Sequence, residues 1–252
     1  KYYVRAYAEN SEGFGYSSQM DFETFALVSE GSFKFYYKHE LDNFLKNPHK
    51  IINGSIFISF EGDIKSIEQL KSIEEVRGNM SIFGKNSNIT DLDGLSNLKK
   101  TEGLSLSSLA IENLDFLASL ESITRSFVIR YCDRLKRIDF KNNLIDTEMQ
   151  NISIDVLPEL ESFSGFENLE KINNITVDDV NDKFIGTLNF KKLKSIEGIL
   201  RLDRAAKSYN FNSLETIGEL DISYSKLENF QQFSSLKTVG VMDISNNFQL
   251  TS

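Results

Sequence analysis

The chain of 252 residues has one cysteine, two prolines, two histidines and no tryptophan. A single Cys132 excludes an internal disulfide and any multi-cysteine metal site. It follows Phe127-Val-Ile129 within Arg130-Tyr-Cys-Asp and reads as a small buried apolar residue rather than a reactive thiol. A Ser-His-Asp triad or a histidine-rich metal site would have to draw on His39 or His49, and both read as solvated. No Gly-x-x-x-x-Gly-Lys phosphate loop and no His-Glu-x-x-His is found. No run of 18 apolar residues exists, so no membrane span is expected. Cations are fewer than anions, 28 Lys and Arg against 37 Asp and Glu, for a formal charge of −9. That balance argues against nucleic acid or an anionic membrane surface as partner. The scarcity of proline beside 40 % hydrophobic residues argues against disorder. Lys1 in place of Met, with no apolar leader, suggests a processed or trimmed chain.

What the chain does have is a repeat. Leu193-Lys-Ser-Ile196-Glu-Gly198-Ile199-Leu200-Arg201-Leu202-Asp203 returns as Ile73-Glu-Glu-Val76-Arg-Gly78-Asn-Met80-Ser-Ile82, as Leu214-Glu-Thr-Ile217-Gly-Glu-Leu220-Asp-Ile222 and as Leu236-Lys-Thr-Val239-Gly-Val-Met242-Asp-Ile244. The second apolar member of each alternating pair falls at Ile58, Ile82, Leu106, Ile129, Ile154, Val177, Leu202, Ile222 and Ile244. Spacings of 20 to 25 residues mark a solenoid in which each coil contributes one short strand. The column from Ile82 to Ile244 is expected to be buried, because no coil can bury its apolar side alone. The Leu-x-x-Leu-x-x-Ile return, with its spacing of three, suits a turn of tight helix or an extended bend that returns the chain. Leu144 is the weakest anchor, since Asp146-Thr-Glu-Met-Gln150 stands where an Ile belongs. Glycine at 54, 78, 103, 198, 218 and 240 precedes each strand, where a sharp turn with positive φ is expected.

Alternation sends the intervening residues to the opposite face. One outward row reads Ser59, Phe83, Ser107, Arg130, Asp155, Asp178, Asp203, Ser223, Ser245. The parallel row reads Phe57, Ser81, Ser105, Val128, Ser153, Thr176, Arg201, Asp221, Asp243. This face is small, polar and aromatic in its first half and charged in its second. Phe57, Phe83, Arg130, Arg201, Asp155, Asp178, Asp203, Asp221 and Asp243 are the candidate binding residues. Neutralisation of the acidic row by Arg130 and Arg201 is expected, leaving a solvated face. The sharper alternative is a ladder that holds Ca²⁺ or a basic group of a partner. No other cofactor is expected. Asn-x-Ser/Thr triplets begin at Asn53, Asn79, Asn88, Asn151 and Asn174.

Residues 1–25 lie outside the repeat: Tyr2 to Ala8 and Ser18 to Phe25 alternate like strands around a loop at Glu9–Gly15. Such a hairpin leaves a bare edge, which invites pairing between chains or docking near Phe33 to Tyr37. Residues 26–50 read as an N-terminal cap, with a strand at Ser32–Tyr37 and a short amphipathic helix from His39 that ends at Asn47-Pro48. Residues 51–252 are the solenoid, about nine coils, ending in mid-coil without a polar cap. Either further chain or a partner is expected there.

Two resemblances bear on these segments. Tyr2-Tyr-Val-Arg-Ala-Tyr-Ala-Glu-Asn-Ser-Glu-Gly resembles the last two strands of a fibronectin type III domain. The Ile-x-Gly-x-Leu-x-Ile strand, the Asn88-Ile89-Thr-Asp-Leu92 turn and the Leu-x-x-Leu-x-x-Ile return resemble the receptor L-domain over about residues 50 to 252. That resemblance implies a mainly β to α/β, right-handed leucine-rich-repeat-like solenoid with a parallel sheet. It further implies extracellular recognition or adhesion. The chain lacks the disulfides of the receptor members, so a bacterial surface protein is the better comparison. A non-enzymatic cell-surface module recognising a protein or glycan is the leading expectation. A right-handed β-helix enzyme acting on acidic polysaccharide through Asp155, Asp178 and Asp203 is the alternative.

Overall fold

The computed structural model describes residues 2–22, 27–85, 89–140, 144, 149–180, 187–204, 209–225 and 227–251. Asn88 of the expected turn, residues 23–25 of the expected second strand and 146–148 after Leu144 lie outside them.

The body is a parallel-strand solenoid of about eight turns. Its 13-stranded sheet runs from Val28–Glu30 and Phe33–Phe35, through Ile51–Asn53, Ile56–Ser59, Glu75–Phe83, Lys100–Ser107, Ser122–Arg130, Asn151–Leu157, Lys171–Ile172, Asn174–Val180 and Ser195–Asp203, to Thr216–Asp221 and Thr238–Asp243. The ladder already begins inside the segment expected to be only a cap, with Phe33 opposite Ile56 and Phe35 opposite Ile58. Helix Lys38–Phe44 closes the apolar end there. Its Phe44 ring lies 4.7 Å from Phe33 and 5.1 Å from Phe35. His49 is not solvated: it is buried, stacked on Phe44 at 3.7 Å and hydrogen-bonded to the Phe44 carbonyl at 2.6 Å and to Ser29 Oγ at 2.5 Å. His39 is exposed and stacks on Tyr37.

Alternation places the core. Ile82, Leu106, Ile129, Ile154, Val177, Leu202 and Ile222 form one buried column, each 1 % exposed or less. Ile244 departs from it at 40 % exposure, because Thr238–Asp243 is the outermost strand and no described coil stacks on it. The Leu-x-x-Leu step makes i to i+3 turns, as its spacing of three demands: Leu95 N–H donates to Leu92 O at 2.9 Å, Leu117 to Leu114 at 2.8 Å and Leu193 to Phe190 at 3.0 Å. At the first position of this return the later coils use phenylalanine. Phe140, Phe166, Phe190, Phe211 and Phe233 stack into a buried aromatic spine with centroids 5.3 to 6.3 Å apart.

The glycines expected before the strands lie within them, Gly54 excepted, and none takes positive φ; among described glycines only Gly13, Gly31 and Gly165 do. They serve close approach instead. A Cβ on Gly218 would stand 2.3 Å from the Glu197 carbonyl oxygen of the neighbouring coil. Left-handed backbone appears at or just past the strand ends, on side-chain-bearing residues: Ser108, Tyr131, Val156, Asp179, Arg204, Tyr224 and Asn246 have φ between 43° and 58°. At the opposite corner of each coil, charges alternate. Lys50–Glu74 and Lys99–Glu74 are 2.9 and 2.8 Å apart, and Lys194–Glu170 and Lys237–Glu215 are 3.0 and 2.8 Å apart. Glu121 continues the first run through its backbone N–H to Lys99 O at 2.8 Å.

The N-terminal segment is an antiparallel hairpin in two pieces, Tyr2–Val4 with Met20–Phe22 and Tyr7–Asn10 with Gly13–Tyr16. The expected loop at 9–15 is instead strand, tight turn and strand, since Ser11-Glu12 alone reverse the chain. Among the described residues no helix is long and apolar enough to cross a membrane.

Ile154→Asp places an unpaired charge in the column and should unfold the solenoid, whereas Ser153→Asp on the outward face should change stability by less than about 1 kcal/mol. Urea denaturation of the pair reads the register directly. Val156 carries a β-branched side chain at φ 50°. Val156→Asn should therefore raise stability by about 0.5–1 kcal/mol, while Val177→Asn in the core should cost several. Equal responses in thermal melts would rule out strain at Val156.

Candidate functional site

The outward sheet face is built by the same alternation that fills the core. Pairing sets Arg130 opposite Asp155, Asp155 opposite Asp178 and Asp178 opposite Asp203 on successive coils. In the parallel row Arg201 stands opposite Asp221, and Asp221 opposite Asp243. At the other end Phe57 is opposite Ser81 and Phe83 opposite both Ser59 and Ser107. Acidic and aromatic candidates thus occupy separate ends of one face.

Arg130 and Arg201, the arginines expected from sequence, balance the row only in part. Arg201 is committed to Asp221 at 2.8 Å, and Arg130 donates to Ser153 Oγ at 3.2 Å. The cation that enters the acidic row is Arg204, 3.2 Å from Asp178 Oδ1 and 3.8 Å from Asp203 Oδ1. Its left-handed backbone swings it back over the row from one position past the strand. Sequence reasoning confined to two outward rows missed it. The position immediately after the row of Arg130, Asp155, Asp178 and Asp203, counted coil by coil, would have shown Tyr131, Val156, Asp179, Arg204 and Tyr224 together.

Arg204, with Arg130 acting on Asp155 and Arg201 on Asp203, does not fully offset the repulsion among three adjacent carboxylates. Burial, followed by the neighbouring Asp178 charge, raises the Asp155 carboxyl above its ordinary value. The same two causes, in the same order, raise Asp203, whose Oδ1 is buried without a hydrogen-bond partner. Asp221 goes the other way: burial pushes it up, but donation from the Ser223 hydroxyl and backbone and from Arg201 outweighs burial and lowers it. Among the described residues no group of three or more His, Cys, Asp or Glu side chains converges as a metal site.

The aromatic end gains a member. The Tyr36 ring lies 5.6 Å from Phe57, and Glu40 accepts from the backbone N–H of Tyr36 and Tyr37 at 2.7 and 2.9 Å, fixing that corner. Cys132 is buried and its thiol is pushed up to about 11, chiefly by burial, so it is chemically inert. A depression of about 520 Å³ is lined by Gln150, Glu170, Lys171, Ile172, Asn173 and Glu197, none of them in the two outward rows. No protein-family model, curated protein or solved structure matches the chain.

A carboxyl raised in the folded state favours folding only where it is protonated, and weakens folding once pH passes its folded value. Asp203→Asn should therefore raise the melting temperature at neutral pH, the gain fading as pH falls toward the ordinary aspartate value of 3.8. Asp221→Asn should do the reverse, lowering it at neutral pH and losing its effect as pH falls through the depressed Asp221 value. Melts of both variants between about pH 3 and 7 check the opposite signs.

Proposed function

We propose that the chain is a non-enzymatic, extracellular recognition module that binds a protein or glycan across the outward face of its sheet. In this reading the solenoid is right-handed and leucine-rich-repeat-like, of the receptor L-domain kind. Its repeat, its i to i+3 returns and its parallel ladder support that. The observation that carries the proposal is the acidic row. Asp155, Asp178 and Asp203 stand side by side, the carboxyls of Asp155 and Asp203 are raised, and the cations about the row are Arg204, ion-paired with Asp178, and Arg130, opposite Asp155. At a strand spacing of about 4.8 Å, two such charges repel by about 3.5 kcal/mol at an effective dielectric of 20. A solenoid has no folding need for that arrangement, and strained electrostatics of this kind cluster where a partner supplies the missing charge.

The test is binding to defined glycan and protein arrays at low and physiological salt. Wild type is compared with Thr176→Arg and Ser105→Arg, two outward changes that leave the core untouched. Ligands that need the acidic end should bind less tightly as salt rises and lose binding in Thr176→Arg. Ligands unaffected by either substitution would place recognition elsewhere. The raised carboxyls also favour a competing reading, in which one of them protonates the bridging oxygen of an acidic polysaccharide. Release of reducing ends from polygalacturonate, abolished by Asp178→Asn, would establish that reading in place of the first.

A further inference from the structure

We infer that the N-terminal half of the outward face is a platform for a neutral oligosaccharide, stacked on Tyr36, Phe57 and Phe83. The inference rests on the face-binding function proposed above and names the ligand class for this half.

The three rings follow a staggered path across successive coils. Lys34 pairs with Phe57, Phe35 with Ile58, and Ser59 with Phe83. Tyr36, one residue past Phe35, enters the row of Ser59, and its ring meets Phe57 at 5.6 Å. Tyr36 is 40 % exposed and Phe57 and Phe83 are partly exposed. Eleven residues of the described chain place phenylalanine in the buried core instead. These rings are therefore not spare core residues: alternation would bury them if they stood one position along the strand.

The surroundings fit a sugar. A pyranose ring offers C–H groups on one face, which pack on the electron-rich face of an aromatic ring. Around its edge it offers hydroxyls that need both donors and acceptors, and serine hydroxyls are both. Beyond the rings the face is floored by Ser81, Ser105 and Ser107, all partly exposed. No carboxylate stands in either row before Asp155, and the rim charges Lys85 and Glu61 are paired at 2.7 Å. The cations at the margins are Lys34, opposite Phe57, and Arg130, opposite Ser107, and their N–H groups can donate to sugar hydroxyls.

A peptide fits less well. Peptides join sheets along a bare edge or anchor apolar side chains in a pocket. This is the face of the sheet, and Val128 is its one aliphatic residue in the half concerned. The platform is also held in advance of binding. Glu40 accepts the Tyr36 N–H, and the Tyr36 carbonyl abuts Gly62 so closely that a Cβ there would stand 2.0 Å from it. Little ordering is left for the ligand to drive.

The test is calorimetry of the full chain with hexasaccharides of β-1,4-glucose, β-1,4-mannose, β-1,4-xylose and α-1,4-glucose. At least one should bind, with affinity indifferent to salt. Phe57→Ala and Phe83→Ala should each weaken it by about tenfold. Ser105→Glu, which adds bulk and charge to the floor without touching the core, should abolish it with the melting temperature retained. Glu112→Gln on the return side should change nothing. If no hexasaccharide binds at millimolar concentration, or if binding persists in Phe83→Ala and Ser105→Glu, the inference is overturned. A lysine hexapeptide that binds and is lost in Thr176→Arg, with no sugar bound, would overturn the sugar platform alone and leave the face as the binding surface. Sugar binding that ignores every substitution on the face would overturn both.

Discussion

Every coil of this chain depends on its neighbour for the same reason: its apolar side chains point along one face and can leave water only by meeting those of the next coil. The parallel register that sets Ile154 against Ile129 on one side and Val177 on the other meets that need. Once that register is set, the outward rows follow without further choice, because a strand has only two faces. The binding face is thus a by-product of the core. Arg130, Asp155, Asp178 and Asp203 are aligned because Ile129, Ile154, Val177 and Leu202 are.

This coupling explains what could be read in the sequence. Period and alternation together placed the buried column and both outward rows, because each inference needs only spacing and polarity. The i to i+3 returns were legible for the same reason. Three features were not. The glycines at 78, 198 and 218 signal a backbone that nearly touches the next coil, and in a single sequence such contact looks the same as a turn with positive φ. The left-handed residues carry no glycine to announce them; Val156 and Arg204 occupy that position at a strain their sequence does not show. The exposure of Ile244 depends on what stacks on the last strand, which no pattern within the strand can report.

The candidate site divides along the same line. Position on the face was readable; partnership between charges was not. Arg201 and Arg204 are three residues apart, yet one is held by Asp221 and the other crosses to Asp178. The difference lies in one backbone angle, the φ of 43° at Arg204. A second consequence is that the face has two chemistries kept well apart. Hydroxyl and aromatic groups lie over the early coils and carboxylates over the later ones, with Val128 and Arg130 between them.

The alternating corner charges impose a parity on the molecule. Lys50, Glu74, Lys99 and Glu121 form one run and Glu170, Lys194, Glu215 and Lys237 another, so like follows like only after two coils. Deleting one coil from such a run would bring lysine against lysine or glutamate against glutamate, and duplicating one would do the same. Removing or copying two would leave every pair intact. The hydrophobic column has no such memory, since one aliphatic layer accepts any other. The corner charges therefore make the pair of coils, 43 to 49 residues, the natural unit by which a chain of this kind could be lengthened, shortened or recombined.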